Sequence, residues 1–149
     1  MPALISVAER RRFRGPDSPF AHWSHCALIA DSAGTLVEAE SRGVVKSPIS
    51  KYLADEYHVV MLGAEFGEEG RRKAVAYAAS QVGSAFGYLA LLGAAAFLVT
   101  GRPLRLMRRH HEICSGLVAR SLQAGGLLRD RDASTMLPAD LAKVFGARP

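Results

Sequence analysis

From Ala74 to Gly101 the chain carries no lysine, arginine, aspartate or glutamate, and Leu89-Ala90-Leu91-Leu92-Gly93-Ala94-Ala95-Ala96-Phe97-Leu98-Val99 is apolar all round. Such a run has to be buried in a domain, laid on a membrane surface or passed through a bilayer. Spanning needs about 20 predominantly apolar residues, and the first part of this run includes Ser80, Gln81, Gly83, Ser84 and Gly87. Its strictly apolar part is about half the length of a span, so a buried or interfacial helix is expected in preference to insertion. Gly83 and Gly87, four apart, suit close helix packing. Whether 84–100 faces core or membrane stays open, and Arg102, Arg105, Arg108 and Arg109 beyond it would each add roughly 1 kcal/mol near an anionic leaflet.

The rest of the 149 residues fits one domain, 1–149, large enough for a core without staples. Two cysteines far apart in sequence make no disulfide framework, and no apolar run with a cleavage site follows Met1. The expectation is therefore a reducing cytoplasm, with peripheral membrane association as an option. The net charge of +5 comes largely from arginine, at Arg10 to Arg14, Arg71-Arg72-Lys73 and Arg102 to Arg109. Without a recognised nucleic-acid motif, and with few aromatics, these patches read as basic surface that tolerates anionic lipid, not as a nucleic-acid site. No metal and no cofactor is expected, since neighbours such as His110-His111 rarely point at one ion.

In chain order, Met1 to Pro19 is an undetermined arm ending in turn chemistry at Gly15-Pro16-Asp17-Ser18-Pro19. Ala21 to Ala30 reads as a strand, Asp31-Ser32-Ala33-Gly34 as a turn and Thr35 to Glu40 as the returning strand. Alternation sends His25 and Cys26 to opposite faces. If Ala30 pairs with Thr35, Glu40 lies opposite His25 and Glu38 one diagonal step away, so either carboxylate is placed to orient the imidazole. Val44-Val45 and His58 to Leu62 read as further strands, separated by Ser47-Pro48 and a short helical piece around Ile49 to Ala54. Glu68-Glu69 open a helix whose apolar positions are Ala74, Val75, Ala78 and Val82. Pro138 suits the first turn of a short closing helix.

Cys114 stands at the expected start of another helix, with Leu117, Val118 and Leu122 as its buried stripe, Leu127 beyond, and Gly125-Gly126 as its stop. A helix N-terminus favours the thiolate, the nucleophilic form. Two readings of the thiol stand side by side, one exposed on an anchored helix and the other a small buried hydrophobe, and Ser115 N–H is a candidate oxyanion donor.

In the order of His25, Glu38 and Cys114, and in Trp23-Ser24-His25-Cys26-Ala27-Leu28-Ile29, Leu36-Val37-Glu38-Ala39, Phe86-Gly87-Tyr88, Ile113-Cys114-Ser115-Gly116-Leu117-Val118 and Leu137-Pro138-Ala139-Asp140-Leu141, the chain resembles the permuted papain-like hydrolases of the NlpC-type superfamily. The YiiX/YaeF-like amidases are the nearer likeness and lecithin:retinol acyltransferase-like proteins a more distant one. The family's leading Gly-Asp strand has no counterpart in Met1 to Pro19, and Gly87 and Gly116 stand where acidic residues are common. The resemblance implies an α+β, circularly permuted papain-like fold, with a small antiparallel sheet against helices. It implies a cysteine peptidase or amidase-like activity, with Cys114 as nucleophile, His25 as base and Glu38 as orienter, Glu40 being the fallback. The implied substrate is a peptide or cell-wall amide, or a lipid-linked amide or ester. The competing expectations are an inactive membrane-associated scaffold on the same fold and a lipid acyltransferase. Oligomeric state is not legible.

Overall fold

Asp31 shapes the hairpin. Its carboxylate accepts the N–H groups of Ala33 and Thr35, both at 3.0 Å, letting a short polar side chain stand in for backbone turn bonds. Gly34 closes the turn at φ 80°, a left-handed value open to glycine. The computed structural model describes residues 9–86 and 111–149. Strands β1 (Leu28–Ile29), β2 (Thr35–Glu40) and β3 (Gly43–Pro48) form an antiparallel sheet in that order. Leu28 faces Val37 and Ile29 faces Leu36, while Leu36 faces Ser47 and Glu38 faces Val45. A second, parallel pair joins β4 (Ala85–Phe86) to β5 (His111–Glu112). Gly43 lets these pieces meet: it sits at φ 120°, where a Cβ would lie 2.5 Å from the carbonyl oxygen of Ser84. Val44 exchanges backbone bonds with Gly83 and Ser84.

Beside the helical residues 9–12, the α-helices that pack on the sheet or on one another are α1 (Gly67–Ser80), α2 (Cys114–Ala124) and α3 (Pro138–Phe145). Helix α2 packs on β2, α1 and α3. Val37, Ala39 and Val44 from the sheet meet Ala78 of α1 and Ile113, Cys114 and Leu117 at the head of α2. A neighbouring cluster joins Phe66, Ala74, Val118, Ala119, Leu122, Met136 and Leu141. Burying Leu117 and Leu122, 0 % and 3 % exposed, stabilises by roughly 2 kcal/mol each. Phe13, Phe20 and Ala21 pack on Ala139, Ala142 and Ala147, tying the N-terminal part to α3. The mixed architecture is α+β.

Several expected elements differ. The strand expected over Ala21 to Ala30 shrinks to β1, because Gly15–His22 is a 3-10 helix whose Phe20 and Ala21 are committed to α3. Trp23 Nε1, donating to the carbonyl of Ala147 at 2.9 Å, holds the next residue there too. His25 and Cys26 consequently lie outside any ladder, and the alternation that sent them to opposite faces does not apply. His58 to Leu62 forms no strand and pairs with no strand among the described residues, and Val59 and Met61 are exposed. Ser47 and Pro48 end β3 instead of breaking it, and the following 3-10 turn is Ile49–Tyr52. Val82 falls beyond α1 and is exposed. Among the described residues no helix is long and apolar enough to cross a membrane. The run Leu89 to Val99, with Gly87 and Tyr88 ahead of it and Arg102 to Arg109 after it, lies outside the described residues.

Candidate active site

Helix α2 begins at Cys114, with Ile113 as its extended N-cap. The first N–H groups of any helix have no partner within it, so the sulfur sits where positive partial charge is concentrated. Cys114 is 3 % exposed. Of the two readings of this thiol the buried one holds: the apolar stripe that anchors α2 begins at its first residue, and Cys114 belongs to the same cluster as Val37 and Leu117. Ser115 is fully buried too, its hydroxyl donating to the carbonyl of Met136 at 2.7 Å.

His25 lies in the irregular segment ahead of β1, close enough to this sulfur for each group to shift the pKa of the other. On the other side, His25 Nε2 donates to Glu38 Oε2 at 2.7 Å. Burial alone would lower the imidazole pKa, but the bonds to Cys114 and Glu38 outweigh it and raise it to about 9. The Cys114 pKa falls well below that of an ordinary thiol, first because Cys26 donates its S–H to it, against the cost of burial, and then because the His25 ring lies beside it. The two shifts describe a thiolate–imidazolium pair.

Glu38 has no exposed surface. Burial pushes its carboxyl pKa up, yet hydrogen bonds from His25, Ser47, Tyr52 and Lys51 hold it below the usual carboxylate range. Lys51 Nζ donates to Oε1 at 3.1 Å, and the Tyr52 hydroxyl donates to Oε2. Tyr52 also lies beside the imidazole, with ring centroids 6.0 Å apart. Glu40 pairs with Lys51 and with Arg42, not with His25. The geometry thus joins Cys114, His25 and Glu38 in one chain of contacts and leaves Glu40 outside it. Such a chain can generate a nucleophilic sulfur, carry its proton on an oriented ring and hold the resulting positive charge.

Four partners escaped the sequence reading. Lys51 and Tyr52 are delivered by the 3-10 turn immediately after β3, and Ser47 sits opposite Leu36, one diagonal step from Glu38; a helical piece directly after a strand edge was the available signal. Cys26 packs against the cluster that holds Cys114 and lowers the pKa of that thiol, and its adjacency to His25 in sequence was the signal. Among known proteins, no family model, no curated protein and no solved structure matches the chain.

Proposed function

We propose that the chain is a thiol hydrolase with a permuted papain-like arrangement, attacking an amide, ester or thioester carbonyl through an acyl-enzyme on Cys114. The observation that carries this reading is the carboxylate of Glu38, fully buried and bonded to the ring that also bonds the sulfur at the head of α2. A solvated strand glutamate has no need of four donors; a carboxylate that must steady an imidazolium does. In the reaction, the Cys114 thiolate attacks the carbonyl carbon and the imidazolium of His25 protonates the leaving amine or alkoxide. The neutral ring then takes a proton from water as that water attacks the acyl-enzyme. Ser115 N–H, in the first turn of α2, is the proposed oxyanion donor.

A peptide or cell-wall amide and a lipid-linked acyl group both suit this chemistry; with an acyl acceptor other than water the same site is an acyltransferase. The lipid form rests on the apolar run Leu89 to Val99 and its following arginines. Flotation with anionic vesicles at low salt tests it, and protein that stays at the bottom removes it. A second reading, an inactive binding or scaffold protein on the same arrangement, draws on the near-complete burial of Cys114. An electrophilic thiol probe, applied with and without detergent, separates the two. Labelling of Cys114 that disappears in His25→Ala supports the hydrolase, whereas labelling confined to Cys26 rules it out.

A further inference from the structure

The chain has two cysteines, distant in sequence, and the fold brings them together. Cys26, half-buried, packs against the cluster that holds Cys114, Val37 and Leu117, and Cys114 is the neighbour that acts most strongly on its thiol. The catalytic scheme above gives Cys26 no chemical step. A second thiol touching a nucleophilic sulfur is what an oxidised sulfur needs in order to be captured before it is destroyed.

We propose that Cys26 is a resolving cysteine, and that Cys26 and Cys114 form a reversible disulfide when a hydroperoxide reaches the site. Burial selects a small oxidant: Cys114 is 3 % exposed, while the side chain of His25 is 35 % exposed and Cys26 is half-buried. In the first step the Cys114 thiolate attacks one peroxide oxygen and the O–O bond breaks. Hydroxide leaves and takes the proton of the His25 imidazolium as water. Sulfur is oxidised by two electrons to sulfenic acid as the peroxide is reduced. In the second step the Cys26 sulfur attacks the sulfenic sulfur, the S–O bond breaks, and the departing hydroxide leaves as water with the proton that Cys26 gave up. A dithiol reverses the bond by exchange. The low pKa of Cys114 favours the first step.

This inference rests on the proposed thiolate character of Cys114 but not on turnover, so its test uses no substrate. The reduced protein is treated with hydrogen peroxide near stoichiometry, alkylated with iodoacetamide under denaturing conditions and mapped by mass spectrometry. The expected result is loss of labelling at both cysteines, a cross-linked peptide pair in monomeric protein, and recovery of both labels with dithiothreitol. Cys26→Ser and Cys26→Ala, each checked for folding by circular dichroism, should instead carry sulfenic acid at Cys114 that dimedone traps. With more peroxide that sulfur should advance to sulfinic acid, which dithiothreitol does not reverse. Sulfinic Cys114 beside a free Cys26 in the wild type, a bond only between molecules, or two thiols that stay alkylatable would each overturn the proposal. A disulfide in a protein that never acylates would count against the hydrolase alone, and acylation without a disulfide would count against this inference alone.

Discussion

Glu38 has to be an anion surrounded by donors, because a carboxylate with no exposed surface and no partners would cost several kcal/mol. Its four donors account for its holding a charge, and His25 is the one that transmits it. Replacing Glu38 by Gln removes the counter-charge to the imidazolium and leaves the donors of Lys51 and Tyr52 poorly matched. The expected result is a folded protein, less stable by about 1–3 kcal/mol, whose single-turnover acylation slows by part of the roughly 10²–10⁴ that an oriented acid–base group supplies. Glu40→Gln, which disturbs only Lys51 and Arg42, should acylate at nearly the wild-type rate; the reverse pattern would move the orienting role to Glu40. The pH dependence follows from the same pair. With the Cys114 pKa lowered and that of His25 raised to about 9, the ion pair exists between the two, so kcat/KM should fall on the alkaline side near pH 9 as the imidazolium loses its proton. Glu38→Gln should bring that limb to lower pH. An alkaline limb that does not respond to Glu38→Gln would mean that another group is titrating. Cys114 was legible as a helix start, whereas His25 was read on a strand face and lies ahead of the strand. Direct pairing favoured Glu40 and the resemblance Glu38; the contact of His25 is with Glu38, because the ladder stops short of His25.

The ladder stops at Leu28 and Val37, and that short β1 explains both what the sequence announced and what it concealed. The hairpin turn, α1, α2 and α3 were readable because their signals are local: Asp31 and Gly34, the acidic pair Glu68-Glu69, the stripe Leu117, Val118, Leu122, and Pro138. The pairing of Ala30 with Thr35 also agrees with the sequence reading. Residues 21–27 were misread because alternation is a weak prior against tertiary anchoring, here by Phe20, Ala21 and Trp23 on the C-terminal part of the fold. The same holds in reverse for His58 to Leu62, whose β-favouring residues pair with no strand among the described residues. Where α1 meets the end of α2, Gly70 and Gly125 touch: a Cβ on Gly125 would lie 2.5 Å from the carbonyl oxygen of Gly70 and as close to the ring of Phe66. Gly125→Ala should therefore push the helices apart and destabilise by about 1–3 kcal/mol, seen as a lower urea midpoint. An unchanged midpoint would show that α1 and α2 do not depend on this contact.

A buried acid is among the contacts that hold the N-terminal part to the far end of the chain. Glu9 Oε1 accepts the N–H of Ala139 at 3.0 Å in the first turn of α3, while Oε2 is buried with no hydrogen-bond partner among the described residues. Burial, with a contribution from the charge of Cys114, raises its pKa to about 8. The folded state thus keeps a proton that the unfolded chain gives up near 4.5. Stability from this group is greatest below that value and declines as pH rises towards 8, by at most about 1.4 kcal/mol per unit. Glu9→Gln mimics the protonated acid, so it should match the wild type in urea at about pH 5 and exceed it at about pH 9. Equal stability at both would place the ionised acid in the fold at no cost. No periodicity marked Glu9, because its partner lies at the opposite end of the sequence. The catalytic contacts are arranged otherwise: His25 and Glu38 are 13 residues apart, and Lys51 and Tyr52 follow directly after β3. Protein synthesis therefore delivers His25, Glu38, Lys51 and Tyr52 before it reaches Cys114. The segment that carries His25 is nevertheless anchored through Trp23 to Ala147, and a domain folds as a unit, so a nascent chain brings the thiol to the imidazole only after its C-terminal end has been made.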